Sequence, residues 1–378
     1  MDMFNKKLKN RVKTLLILLF AILFPLLLNL PIQKFSNGED DKLNIEEDNL
    51  KQLQFSSNDP IGSKFFSFYK NITIDYTKVV GSGSLIDFPF LFSIIDSDLH
   101  DNVQSQLGDD IAFAITNVWL DHEIELYDPT YSHTEAQLVA WIRIPSLSTS
   151  VDTVVSMYYG NSTMNSRQNP VSVWEDDFKA IWHMSDNPSG TINDSTSNDN
   201  DGTTFGGMDS SDQVSSKIGG GISLDGINDF ILIPHSPSID ITGYQITLEA
   251  WINLAQVPTQ YDAAVIVKAP SDNNERYMLG VDGGTSPARV NQRITASISG
   301  YRRYDEPTPG ILYQDSWAYV CAVYDGTLEV SNRFFVYING ALISARYAAG
   351  TILSTSGNLN IGRRISTSRW LYGIIDEL

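Results

Sequence analysis

The densest set of potential metal ligands in the 378-residue chain is the run from Asn193 to Gly202, NDSTSNDNDG. It places carboxylate and amide oxygens on one turn, and these are the hard ligands that Ca2+ gathers about six to eight at a time. The spacing is not that of an EF-hand. Setting Asp199, Asp201 and Gly202 in that loop's register puts Ser197 at the first ligand position and Met208 where a bidentate Glu belongs. Two readings remain open: a calcium loop with Asp199 and Asp201 among its ligands, or an Asx-rich turn that satisfies its own backbone.

Two other groups have the chemistry of a ligand face. In Gln245–Asn253, QITLEAWIN, the aliphatic side chains Ile246, Leu248, Ala250 and Ile252 alternate with Thr247, Glu249, Trp251 and Asn253. A period of two defines a strand and puts Glu249 and Trp251 on one side of it. An indole there can stack on a sugar while the carboxylate accepts its hydroxyls; the alternative is that Trp251 is core. The second group is Tyr301-Arg302-Arg303-Tyr304, two guanidinium groups between two phenols in a polar segment. It suits an acidic glycan or sulfate through forked hydrogen bonds, or else balances Asp305 and Glu306 in a solvated loop.

Catalysis has less support. Glu123 and Glu125 alternate along HEIELYD and would share a strand face, as the two carboxylates of a glycoside hydrolase do, but they lie in the first half of the chain. The five histidines, His100, His122, His133, His183 and His235, show no zinc-like spacing, and no Gly-x-Ser-x-Gly accompanies them. Cys321, the single cysteine, sits in the alternating strand WAYVCAVYD and reads as a buried thiol.

Composition bounds the partners. A net charge of -19 repels polyphosphates, which argues against nucleic acid. The acidity lies upstream, because from Asn274 onward ten Arg face nine Asp plus Glu. At the N-terminus Lys6, Lys7, Lys9, Arg11 and Lys13 precede an apolar run from Leu15 to Ile32. A basic flank before such a run directs export, so the expectation for 1–32 is a signal anchor or signal peptide, with the body outside the cell. Residues 33–64 are polar and acidic and read as a flexible linker.

The elements that must position these groups are short strands broken by turn signals, which predicts an all-β fold of two β-sandwich domains, 65–178 and 179–378. In the first, FSFYKNITI, DFPFLFSIIDSDL, GDDIAFAI, AQLVAWIRIPSL and VVSMYYGN together resemble a domain of unknown function common in surface proteins of archaea and bacteria, although Ala112 stands where that family usually carries Arg. Pro89 is expected to open a strand and Pro145 to close one. In the second, ISLDGINDFILIP, ITLEAWIN, WAYVCAVYDG, FVYINGALI and GIIDEL resemble, in order, the concanavalin A-like jelly roll of laminin-G and pentraxin-like proteins. Asn339-Gly340 supplies the two positive-φ residues of a type I′ hairpin turn.

The jelly-roll resemblance implies a metal between the early Asp-rich loop and the acidic pair near the last strand, which here match Asp194 and Asp376. In that family the last matched strand continues into another, so the resemblance also implies either further chain after Leu378 or an abrupt end. The expectation is a membrane-anchored or secreted recognition module, assisted by Ca2+, for a glycan or surface-protein ligand. A self-associating envelope protein and a glycoside hydrolase, or an accessory module of one, are the rival readings.

Overall fold

The structure is a computed structural model that describes residues 60–378 apart from 82, 176, 257–262, 272–273, 283–288, 295–302, 306–311, 329–332, 349 and 366–368. The expected N-terminal anchor and most of the linker lie outside the described residues. Among those described, no helix is long and apolar enough to cross a membrane. The compact units divide between Phe178 and Lys179.

Among its described residues the first unit has seven strands: β1 (Phe68–Ile74), β2 (Leu85–Asp96), β3 (Ala112–Ile115), β4 (Val118–Trp119), β5 (His122–Asp128), β6 (Ala136–Leu147) and β7 (Thr153–Tyr159). Two short helices, α1 (Ser97–Asn102) and α2 (Pro170–Val173), join them. The strands form antiparallel sheets in the orders β1-β7-β3-β4 and β2-β6-β5. Both prolines lie inside strands, which corrects the expected boundaries. Pro89 pairs with Arg143 on β2, an edge strand, where the ring needs no ladder partner on its open side. Pro145 lies beyond the stretch of β6 that β5 pairs, and the facing Asp87 turns out of the ladder with φ 51°.

What ties the loops of this unit together is one carboxylate. Asp110 is 1% exposed and accepts from the backbone N–H groups of Gln104, Ser105, Gly160 and Asn161, at 2.9, 3.0, 3.2 and 2.9 Å. Gly160 is required there: its φ is 86°, and a Cβ would lie 2.7 Å from the Phe68 ring.

The second unit begins with β8 (Thr191–Ile192), β9 (Gly202–Phe205), β10 (Gln213–Ser215), β11 (Gly220–Asp225) and β12 (Phe230–Ile233). Then come β13 (Gln245–Leu254), β14 (Ala263–Lys268), β15 (Tyr277–Asp282), β16 (Arg289–Ile294) and β17 (Arg303–Asp305). The last are β18 (Trp317–Asp325), β19 (Phe334–Ile338), β20 (Ala341–Arg346), β21 (Leu359–Ile361) and β22 (Tyr372–Asp376). The sheet orders are β10-β11-β22-β13-β18-β19-β20 and β17-β16-β15-β14-β21-β12-β9-β8, the layered sandwich expected.

Alternation decides which side chains fill the space between the sheets. Ala250 and Ile252 of β13 and Val320 and Ala322 of β18 pack in one cluster with Ile231, Ile266, Leu279 and Ile361 of the facing sheet. Burying such aliphatics stabilises the sandwich by about 1.5–3 kcal/mol for each large side chain. The tips of Tyr277 and Tyr324 are satisfied by the carbonyls of Ile239 (2.7 Å) and Gly350 (2.6 Å). The Asn339-Gly340 turn has φ values of 49° and 77° and joins Ile338 to Ala341, as a type I′ hairpin requires.

Among the described residues two cations of this unit are fully buried, Lys268 and, against Glu275, Arg364. Lys268 on β14 is fully buried; its ammonium donates to the Gly357 carbonyl at 2.7 Å and lies 3.3 Å from His235 Nδ1. Burial pushes its pKa down to about 8, against a smaller upward pull from Asp240.

Two predictions follow from these buried charges. Asp110→Ala should destabilise the first unit by about 3 kcal/mol, because four N–H groups lose a charged acceptor, and urea denaturation would measure it. Lys268 has a folded pKa below its unfolded one, so its burial penalty is fully present below about pH 8 and fades as pH rises toward 10.5. Lys268→Met should therefore raise stability by about 2 kcal/mol at pH 7 and by much less at pH 10.5; equal gains at both would refute the charge-burial account.

Candidate functional site

The face of β13 and β18 turned away from the aliphatic core carries a row of polar and aromatic side chains. Register sets Gln245 opposite Asp325, Thr247 opposite Val323, Glu249 opposite Cys321 and Trp251 opposite Tyr319. On its other side Trp251 pairs with Asp376 of β22. Trp251 and Tyr319 are in ring contact at 5.4 Å, and Lys217 Nζ lies 5.1 Å from the indole centre.

The layer is closed at one end. Trp251 is 2% exposed, and Tyr319 and Cys321 are fully buried. From Gln245 to Glu249 the residues are partly exposed, and Tyr244, just before them, is 50% exposed. Among the described residues, four atoms along this face are buried without a hydrogen-bond partner: Thr247 Oγ1, Glu249 Oε2, Trp251 Nε1 and Asp325 Oδ2. The other Asp325 oxygen accepts from Thr327 N (2.9 Å) and Oγ1 (2.6 Å).

Electrostatics follow from this dryness. Burial raises the Glu249 carboxyl to about 7, and hydrogen bonding from Tyr319 and Cys321 offsets only part of it. Burial likewise raises Cys321 and Tyr319 well above their ordinary values, with the Glu249 charge adding to both. Burial lowers Lys217, opposed by Asp376. At neutral pH Glu249 is therefore divided between acid and carboxylate, able to donate or to accept. The Cys321 thiol is buried as expected, but on the polar face and not in the main aliphatic cluster.

The expected calcium ligands are engaged otherwise. Asp194 Oδ1 accepts from Ile181 N (3.0 Å) and Thr196 N (2.9 Å), while Oδ2 accepts from Thr196 Oγ1 and Asn200 N, both at 2.9 Å. Asp201 accepts from Asp194 N at 2.9 Å. Asp199 is exposed, with φ 51°. Asp376 Oδ2 accepts from Ser216 Oγ (2.9 Å) and Ile218 N (2.8 Å), tying down the turn that carries Lys217. Among the described residues these four carboxylates do not converge as a ligand set. As arranged, they do not fit a calcium cradle: the Asp-rich run is a loop closed by its own side chains.

The other sequence candidates separate. Arg303 and Tyr304 are on β17, the edge strand of the opposite sheet, paired with Arg293 and Gln292; Tyr301 and Arg302 lie outside the described residues. They do not join Glu249 and Trp251 on one sheet. Glu123 and Glu125 each accept from an indole, that of Trp174 (2.9 Å) and that of Trp141 (3.0 Å), and a register shift falls at Glu125. His183 pairs with Glu377 at 2.9 Å inside the second unit.

Alternation in WAYVCAVYD was the signal that could have put Tyr319, Cys321 and Asp325 beside Glu249. Lys217 had no such signal, since a turn delivers it.

Residues 108–201 match the family described as a domain of unknown function (DUF2341), and residues 225–378 match the concanavalin A-like lectin/glucanases superfamily (Laminin_G_3), in the expected order. The first match runs past the division between the two compact units. Among solved structures the chain is similar to domain 4 of AbnA, a GH43 extracellular arabinanase from Geobacillus stearothermophilus, in complex with arabinotriose. That likeness has 18% identity over 53% of this chain and 89% of that one, with a TM-score of 0.40. It is also similar to the CBM40 of the Ruminococcus gnavus IT-sialidase bound to α2,3 sialyllactose, with 13% identity over 42% and 85% and a TM-score of 0.31. The native heptameric SAP-like pentraxin from Limulus polyphemus shares 15% identity over 39% and 72%, with a TM-score of 0.28. Likeness at this level concerns fold alone. No curated protein matches the chain.

The raised Glu249 pKa predicts a pH dependence of stability. A folded pKa of about 7 against 4.5 unfolded means that its contribution is fully present below pH 4.5 and is lost as pH rises through 7. Glu249→Gln should flatten that slope and gain about 2 kcal/mol over the parent at pH 8, read from urea denaturation at pH 4, 6 and 8. Parallel pH profiles would show that Glu249 is not held dry.

Proposed function

We propose that the chain is an exported, non-catalytic recognition protein whose second unit binds glycan at the polar face of β13 and β18. The observation that carries this reading is the row of buried atoms that lack partners among the described residues, Thr247 Oγ1, Glu249 Oε2, Trp251 Nε1 and Asp325 Oδ2. Buried polar groups are normally paired, and a face that leaves donors and acceptors unmet is matched by a ligand rich in both. Sugar hydroxyls supply each kind. Tyr244, exposed at the open end, offers a ring for stacking. Glycan-bound structures with a similar fold, those containing arabinotriose and sialyllactose, are consistent company.

No covalent step belongs to this proposal: Glu123 and Glu125, the paired carboxylates that suggested hydrolysis, are occupied in holding indoles. Calcium assistance is not carried forward either, because Asp194 and Asp376 already accept from their own loops. Display outside the cell, secreted or held by the N-terminal apolar run, completes the reading.

A glycan array probed with the protein, in calcium and again with chelator, tests it. Binding should survive chelation, fall at least about tenfold with Tyr244→Ala, and change with Glu249→Gln while the fold is kept. Folded protein that binds nothing on the array, or whose binding is indifferent to both substitutions, would refute the assignment. Concentration-dependent size in light scattering would then favour the envelope reading.

A further inference from the structure

The outward face of the sheet β1-β7-β3-β4 bears a run of touching rings with a cation at one end. Alternation along β1 turns Ile72 and Ile74 inward and leaves Tyr69 and Asn71 exposed, and the ladder sets them opposite Tyr158 and Ser156. Tyr69 stacks on Tyr158 (5.9 Å, 26°), and Tyr158 meets Trp119 edge-on (5.3 Å, 69°). Trp119 is anchored by its Nε1 to the Ile61 carbonyl at 3.0 Å, and the Arg167 guanidinium lies 4.4 Å from its ring centre.

Among the described residues Arg167 has no counter-ion. Its Nε is buried without an acceptor, and no carboxylate or carbonyl among the described residues takes its other N–H groups. In the same unit Arg143 does what a guanidinium usually does, meeting Asp87 at 3.2 Å and Glu175 at 2.9 Å. A chain of net charge -19 that leaves one arginine unmatched on an aromatic face has left a place for an outside anion. Stacking on Trp119 returns less than a dry guanidinium N–H loses, so an anion that reached it would be held.

We propose that this face of the first unit binds an anionic glycan, with the sugar's acid group on Arg167 and a neighbouring sugar ring on Tyr69. The planar fork of Arg matches the oxygens of a carboxylate or a sulfate. Tyr69, 37% exposed, presents a ring to a pyranose, and Asn71 and Ser156, bonded to each other at 2.9 Å, flank it with polar groups. Trp119 and Tyr158, with Phe66 packed on both, separate Arg167 from Tyr69, a span that suits an oligosaccharide more than a single sugar. A neutral glycan would leave Arg167 unmet, and an acidic polymer without rings would leave Tyr69 unused. These residues belong to the first unit alone, and the inference does not rest on the face of β13 and β18.

Calorimetric titration of the full-length chain in detergent tests the site, with trigalacturonate, its methyl ester, neutral galactotriose and a sulfated galactan oligosaccharide as probes. At least one acidic probe should bind, with affinity falling as salt is raised, while the ester and the neutral sugar bind at least about tenfold more weakly. Binding of the carboxylated or of the sulfated probe alone supports the site and identifies its acid group. Arg167→Ala should cost about tenfold or more, Arg167→Lys less, and Tyr69→Ala several-fold. The proposal is overturned if folded protein binds neither acidic probe or if the ester binds equally well. It is also overturned if Arg167→Ala binds undiminished; should that variant fail to fold, undiminished binding by Tyr69→Ala is decisive.

Discussion

Four N–H groups from two separate loops converge on the buried carboxylate of Asp110, and the same arrangement recurs wherever this protein must hold a loop. A loop N–H that leaves water needs an acceptor, and a β-sandwich has many loops for its size. Here the acceptor is repeatedly an aspartate. Asp225 gathers the N–H groups of Ile227, Asn228 and Asp229 in the turn between β11 and β12. Asp194 closes the Asp-rich run on itself, and Asp376 fixes the turn between β10 and β11. Part of the acidity that reads as surface charge in the sequence is therefore spent on the backbone of the loops.

That use of aspartate explains where sequence reasoning succeeded and where it did not. Fold class was legible because alternation is a local property: Ile246 to Ile252 and Trp317 to Val323 show their two faces in the sequence itself, and Asn339-Gly340 names its own turn. The same alternation put Glu249 and Trp251 on one side of their strand. Whether a carboxylate oxygen is spent on N–H groups or left for a ligand depends on partners far along the chain, such as Ile218 for Asp376. No local pattern carries that information. Arg167 escaped notice for the same reason, since only the fold brings Trp119 beneath it. Pro89 and Pro145 misled because the sequence does not say which strand is an edge.

The two faces singled out in the two units answer the same physical question in opposite ways. On β13 and β18 four buried polar atoms lack a partner among the described residues, and burial pushes Glu249 toward neutrality. On the first unit's sheet the charge of Arg167 is fixed, and the shortage is of an anion. One surface calls for hydroxyls that can donate or accept; the other calls for a permanent acid. A heteropolymer that mixes neutral and acidic sugars offers both.

The position of β22 bears on how the second unit comes to be made. It lies between β11 and β13, with Trp251 opposite Asp376, so an interior strand of the seven-stranded sheet, the third in order, is translated well after both of its neighbours. Until β22 arrives, β11 and β13 have an open edge where it belongs, and the turn bearing Lys217 lacks the carboxylate that holds it. Non-local pairing of this kind delays folding until nearly the whole unit has been synthesised. Such lateness would suit the export proposed above, because a segment that is still unfolded can be threaded across a membrane. It also exposes unpaired strand edges during the wait, when a chaperone or a second nascent chain can reach them.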